Sequence, residues 1–198
     1  MNLQVPDGIV TMIKTARLIL RTMRPTDLED LLHVFANPKV RTPFVIAPFD
    51  RQRMERWVLR NMDHQRQYGY GLYSVMLKTN GLLIGDCGLE QTDLNGMPTA
   101  ELSYNFRRDY WTQSIAMEAA TSVQNCAFQV LHLPRLVSLI RVGNIASQRV
   151  VEKIGMKYVS KFTRHGHRYW LYTIAPDIAK LDLKNIHLTE AKLSVEKR

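Results

Sequence analysis

The stretch AELSYNFRRDYWTQSIAMEAATSV, residues 100–123, changes its period half-way along. Its first seven residues read as a strand. From Ser114 onward Ile115, Ala119, Val123 and Cys126 recur at helical spacing, which predicts a helix over about 114–131 with Ser114 as its N-cap. A helix mouth offers backbone N–H groups with no intrahelical partner and the positive end of the macrodipole, so it suits an anion. Phosphate-cradling turns usually carry glycine, which lets a ligand approach the backbone. This turn, Trp111-Thr112-Gln113-Ser114-Ile115-Ala116, carries none.

On either side the chain alternates between strands and helices. ARLILRTM alternates apolar and polar residues like a half-buried strand, and RPTDLEDLLHVFANPKV opens a helix in which Thr26 and Glu29 have capping-box spacing and Asn37-Pro38 marks the end. Residues 50–66 read as a charged helix capped by Asp50. YGLYSVMLK and GLLIGDCGL are strands joined by the hairpin signal TNG, and QTDLNGMPT reads as a turn before the next strand. After the helix of the opening come a buried strand, RLVSLIRV, and a helix, NIASQRVVEKIG, with Asn144 at its N-cap and Gly155 just past its end. KYVSKFT, the turn RHGH and RYWLYTI close the pattern as a hairpin. This order predicts a mixed α/β domain over residues 1–176. The strand at 100–106 and RLVSLI should lie side by side and parallel, with the helix mouth at the carboxyl edge of the sheet. The tail, 177–198, reads as a surface helix or an unstructured end.

The chain has 198 residues, enough for one core-forming domain without staples. Its two cysteines, Cys87 and Cys126, both lie in apolar-patterned segments and are read as free thiols, which suits a reducing, cytoplasmic setting. No basic start followed by a long apolar run suggests a leader, and no run approaches the ~18 apolar residues of a membrane span. Net charge is +9, and residues 134–176 hold eight Lys/Arg against one Asp/Glu. Such a surface attracts anionic cofactors, polyanions or acidic substrates, or is simply a solvated face. A basic RNA-associated module ranks last, since no interleaved aromatics or RNA-binding motif accompany the charge.

TARLILRTMRPTDLEDLLHVFANPKV, AELSYNFRRDYW with AMEAA after it, and NIASQRVVEKIGMKY together resemble the GNAT superfamily of N-acetyltransferases. They most resemble its RimJ/RimL-like branch of ribosomal-protein N-terminal acetyltransferases. The resemblance runs over about residues 15–175. It implies a mixed, mostly antiparallel sheet splayed between its fourth and fifth strands and flanked by about four helices. It implies acetyl-CoA as cosubstrate and no metal. Pantetheine would pair with Tyr104, Asn105 and Phe106, and the pyrophosphate would sit on Thr112, Gln113, Ser114, Ile115, Ala116 and Met117. The family pattern at the turn is close to Trp-Gly-Lys-Gly-Tyr-Ala, so Thr112 and Ser114 stand where it has glycines.

Acetyl transfer to an amine requires that the ammonium lose a proton and the leaving thiolate gain one. By resemblance Glu101 is the candidate base and Ser147 the candidate acid. Val151 stands where many relatives place a tyrosine acid. Asn144 caps its helix and is a candidate pantetheine contact. Arg149 and Lys153 share a helix face and are read as solvated, and His165 and His167 as part of a turn rather than a metal site. The acceptor implied is a protein N-terminal α-amine or a small-molecule amine, with ribosome association as a corollary of the first. No membrane partner and a monomer or homodimer are expected. A domain of this family that binds a partner without efficient catalysis is the alternative, motivated by the missing glycines.

Overall fold

A computed structural model of the protein describes residues 10–36, 50–94 and 96–176. They form a mixed α/β structure whose strands are hydrogen-bonded in the order β1-β2-β3-β4-β5-β6-β8-β7. The described residues fall into two compact units. One runs up to Glu90 and includes Leu102–His132; the other comprises Gln91–Glu101 and the residues from Leu133. The ends of the first predicted helix, Asn37-Pro38, and the tail at 177–198 lie outside the described residues.

The first unit carries β1 (Met12–Lys14), β2 (Leu18–Thr22) and β3 (Leu72–Leu77), with the start of β4 (Leu83–Leu94) and the end of β5 (Met97–Phe106). β1 to β4 pair antiparallel, and Ser74 lies opposite Asp86. Helices α1 (Leu28–Ala36) and α2 (Arg51–Tyr68) bury Leu31, Val34, Phe35, Met54 and Val58 with Leu72 and Leu83. Side chains spaced three and four apart on both helices supply that apolar stripe. Trp57 and Trp111 pack against the same cluster. Asp50 caps α2 by accepting from Arg53 N–H, and Gly69, at φ +74°, ends it.

Three details here differ from the sequence reading. β1 is an additional strand. β4 continues through Leu94, taking in residues read as a turn, because Asp93 accepts from Gly96 N–H and Gly96 at φ +80° reverses the chain within a few residues. The helix start at 25–28 is organised by Asp27 rather than by a Thr26–Glu29 box. A 3-10 turn, Pro25–Asp27, precedes α1, and Asp27 accepts from Arg24 N–H at 3.0 Å. Asp27 also takes two bonds from the Arg21 guanidinium, at 2.6 and 2.8 Å, and one from Ser74 Oγ at 2.6 Å. Burial alone would raise its pKa, but those donors outweigh it and hold the carboxyl below its usual value.

The second unit contains β6 (Leu136–Arg141), α4 (Ile145–Lys153), β7 (Lys157–Arg164) and β8 (His167–Ile174). β5 and β6 run parallel, as the crossover through α3 (Ile115–Gln129) predicts, in a ladder of Ala100 with Leu136 and Glu101 with Val137. β6–β8 and β7–β8 are antiparallel. His165 and Gly166, at φ +50° and +75°, make the turn between β7 and β8. The core of this unit is Leu94, Val137, Leu139, Phe162, Tyr169 and Leu171. Cys87 and Cys126 are both free thiols. No described helix is long and apolar enough to cross a membrane.

Candidate active site

Helix α3 begins at Ile115, and its hydrogen-bond ladder starts with Glu118 N–H donating to Ser114 O at 3.0 Å. The N–H groups of Ile115, Ala116 and Met117 precede that bond and so form the donor-rich mouth. Thr112 and Ser114 have φ of +65° and +61°. Both are left-handed, the region that glycine occupies freely and other L-residues seldom adopt. The backbone thus has glycine-type angles at both Thr112 and Ser114. Ser114 stands at the N-cap, but its side chain makes no capping bond, contrary to the expectation from its residue type. A capping side chain needs an extended backbone to reach back to the first-turn N–H groups, and the left-handed angle turns it elsewhere.

The neighbourhood explains how this conformation is held. Arg17 Nη1 donates to Gln113 O at 3.1 Å, and Gln113 Nε2 donates to Asp109 O at 2.8 Å. Thr112 Oγ1 donates to Trp111 O at 2.5 Å, and Trp111 Nε1 donates to Phe106 O at 2.8 Å. In the first turn of α3 Glu118 accepts from Thr15 Oγ1, Arg17 N–H and Arg17 Nε at 2.5, 2.9 and 2.7 Å. Burial would raise the Glu118 pKa, but these three donors bring it below its usual value. The residue before β2 is therefore a clamp on the turn, and sequence reasoning passed over it.

On β5 Tyr104 and Asn105 are half-buried and Phe106 is buried. Asn105 Nδ2 donates to Asp86 Oδ1 at 3.0 Å. Asp86 lies on β4 and is fully buried. Its Oδ2 has no hydrogen-bond partner among the described residues. Burial pushes its pKa up to about 8; the Asn105 bond opposes this and the charge of Glu90 adds to it. Gly85 fixes the approach of β5 to β4 here, since a Cβ on it would lie 2.1 Å from Asn105 O and 2.7 Å from Phe106 Cδ1. The signal for Asp86 was present in the sequence as one acid inside the apolar run LLIGDCGL.

The second unit holds the other expected residues. Glu101 is half-buried and is the last β5 residue in the ladder with β6. Asn144 caps α4 by accepting from Ser147 N–H at 3.2 Å. Ser147 is half-buried in the first turn of that helix. Val151 is wholly buried and serves the core. Glu152 accepts from Tyr172 Oη at 2.9 Å and from Gln148 Nε2 at 3.0 Å, which gives Glu152 a structural role. Arg149 and Lys153 are exposed. One unit thus brings together residues 104–106, the turn and helix start 112–117, Arg17 and Asp86. Glu101, Asn144 and Ser147 belong to the other.

Residues 17–157 match the family model described as an acetyltransferase (GNAT) domain. The chain belongs to the GNAT acetyltransferase family. An uncharacterised Bacillus subtilis protein, YkkB, is 32% identical over 75% of this chain and 86% of its own length. The crystal structure of a GNAT acetyltransferase from Bacillus anthracis superposes with a TM-score of 0.72 at 24% identity, covering 83% of this chain and 98% of that one. RimL, described as a ribosomal L7/L12 alpha-N-protein acetyltransferase in complex with coenzyme A, superposes with a TM-score of 0.70 at 15% identity over 83% and 97% of the two chains. The GNAT chain described here is an acetyl-CoA-dependent acetyltransferase, and its mostly antiparallel open sheet is the GNAT fold.

Proposed function

We propose that this GNAT enzyme moves acetyl from acetyl-CoA to a primary α-amine at a protein N-terminus, with the turn 112–114 and the mouth of α3 receiving the cofactor's pyrophosphate. The observation that carries the reading is the pair of left-handed angles at Thr112 and Ser114 ahead of the open N–H groups of residues 115–117. Backbone donors survive side-chain change, so a turn that keeps its angles keeps its anion site. Acetyl-CoA supplies the activated acyl group. Tyr104, Asn105 and Phe106 are assigned to the pantetheine arm, with Asn144 as a further contact. Ser147 is assigned the proton given to the departing thiolate, and Glu101 is the proton acceptor that the resemblance puts forward. The α-amine assignment rests on the structural likeness to RimL, an alpha-N-protein acetyltransferase. The basic stretch 134–176 is the surface we assign to a ribosomal partner.

The alternative, a CoA-binding domain without efficient catalysis, was motivated by the missing glycines, and the retained angles weigh against it. The test measures CoA release from acetyl-CoA with a peptide bearing a free N-terminus, and thermal stability with CoA and with dephosphorylated pantetheine. CoA at 100-fold excess over Kd should stabilise the fold by ~2.7 kcal/mol, and pantetheine much less. Ser147→Ala should lower kcat with little change in acetyl-CoA affinity. Absence of a CoA shift removes the cradle. A shift without transfer to any amine selects the binding domain.

A further inference from the structure

A buried carboxyl with one oxygen unpartnered is costly, and asparagine in its place would keep the bond from Asn105 without burying an acid. Asp86 is such a group. It does not stand in a random part of the core. Its one bond is to the side chain of Asn105, on the strand assigned to the pantetheine arm, and Gly85 beside it allows that strand within contact distance.

We propose that Asp86 is the group that takes the proton from the acceptor ammonium, its Oδ2 receiving the amine N–H. The assignment rests on the acetyltransferase reading and deepens it by naming the class of amine. It gives to Asp86 the role that the resemblance gave to Glu101.

Asp86 shares its face of the sheet with apolar Leu72 and with a small set of polar and charged groups. Strand alternation puts Asp86 and Glu90 on one face. Glu90 is itself raised in pKa, by burial first, while Arg60 of α2 and the Ser103 hydroxyl of β5 draw it down. Arg60 stands 3.7 Å from the Glu90 carboxylate. On β3, Ser74 lies directly opposite Asp86, and its hydroxyl is committed to Asp27, which in turn is held by Arg21. Nearby cations thus already have acidic partners, and Asp86 has only the amide of Asn105. An incoming ammonium is the complementary group: a cation with N–H donors aimed at an unpartnered carboxyl oxygen.

The proton balance is simple. At neutral pH the carboxyl rests protonated, since burial holds it near 8. An ammonium placed against it favours the ionised form, so one proton leaves to solvent on binding. The carboxylate then takes a proton from the ammonium. The N–H bond breaks with its electron pair left on nitrogen, an O–H bond forms at Oδ2, and the neutral amine is ready for acylation. Free α-amines titrate near 7.7–8.0 and lysine amines near 10.4. An α-ammonium therefore gives up its proton more readily than a lysine ammonium, by about two to three pKa units, so an α-amine is the class this acceptor serves.

The experiment uses the full chain in two forms, wild type and Asp86→Asn. The probes are a tetrapeptide with a free N-terminal alanine and its N-acetylated twin. Infrared difference spectra of protein labelled with 13C-aspartate follow the protonated carboxyl band at about pH 6.5, within the window set by the raised pKa. The wild type should show a band that Asp86→Asn lacks, and the free peptide should remove it while the acetylated twin does not. Asp86→Asn should lower kcat/KM at neutral pH by ~100-fold or more while keeping the CoA thermal shift. A carboxyl band that the free peptide leaves unmoved overturns the assignment, as does an Asp86→Asn enzyme within about threefold of wild type. The band measurement on the wild type decides the matter even where Asp86→Asn does not fold. Failure of acetyl transfer by the wild type, with the band still responding to the peptide, removes the acetyltransferase reading and leaves the ammonium site standing.

Discussion

Replacing Ser114 and Thr112 by glycine should stabilise this protein. Each holds a left-handed backbone, at φ +61° and +65°, which costs an L-residue roughly 1–2 kcal/mol relative to right-handed geometry. Glycine removes that cost but gives the unfolded chain more freedom, returning about 0.4–1 kcal/mol. Ser114 makes no capping bond that would be lost, so Ser114→Gly should gain about 0.5–1 kcal/mol. Thr112 is β-branched and suffers more in this region, but its hydroxyl bond to Trp111 O goes with the side chain, so its gain is similar. The double variant should gain about 1–2 kcal/mol and raise Tm by roughly 2–8 °C for a chain of this size. The two positions are close enough to couple, so the sum is measured rather than assumed. CoA affinity should change by less than about threefold, because the strain is present in the fold before and after binding and cancels from the difference. Urea denaturation and calorimetry of the two single variants and the double read the stability, with Ser114→Ala as the control that keeps a Cβ. A Ser114→Gly protein no more stable than Ser114→Ala would refute the reasoning.

Three further outcomes are expected. Asp27→Asn breaks a buried ion pair whose side chains are 13% (Arg21) and 4% (Asp27) exposed, and should cost about 3–5 kcal/mol, seen as a Tm lower by roughly 6 °C or more. Gly85→Ala places a Cβ 2.1 Å from Asn105 O, so β5 must shift; calorimetry should show a loss of about 1–3 kcal/mol. Asp86 is raised from 3.8 to about 8 on folding, so the folded chain holds one more proton than the unfolded chain between those values. Its contribution to stability is therefore present at low pH, falls as pH rises through that window and is fully lost above it. Denaturation midpoints of wild type relative to Asp86→Asn, measured against pH, should decline across the window and level off beyond it.

The order of strands and helices was legible because periodicity reports burial, and burial is what the sheet and its helices share. Asn144, Asp50 and Gly155 were legible too, since a cap depends on the residue and its immediate neighbours. The turn at 112–114 was half legible. Its place followed from the helix start, but its angles did not, because Thr and Ser prefer other conformations and tertiary bonds from Arg17 impose this one. Asp27 was missed for a related reason. Its partners are Arg21 and Ser74, and Ser74 is 47 residues away in the chain. Asp86 was visible as an acid in an apolar strand, yet nothing local says that Asn105 will reach only one of its oxygens.

The Arg17–Glu118 clamp joins residues 101 apart in sequence. Contacts of such separation close a long loop and form only after more local structure has reduced the entropy of closing it. The mouth of α3 is wound by local bonds, whereas the Gln113 carbonyl in its turn is held by Arg17, just before β2. A nascent chain lacking the latter part of the sheet therefore differs from a fragment lacking the N-terminus. The first has both partners of the clamp once residue 118 is out, while the second never does. Removing the residues before Leu18 should thus disable the turn even where α3 survives, so the N-terminal strand region acts as a checkpoint on whether the helix mouth is finished.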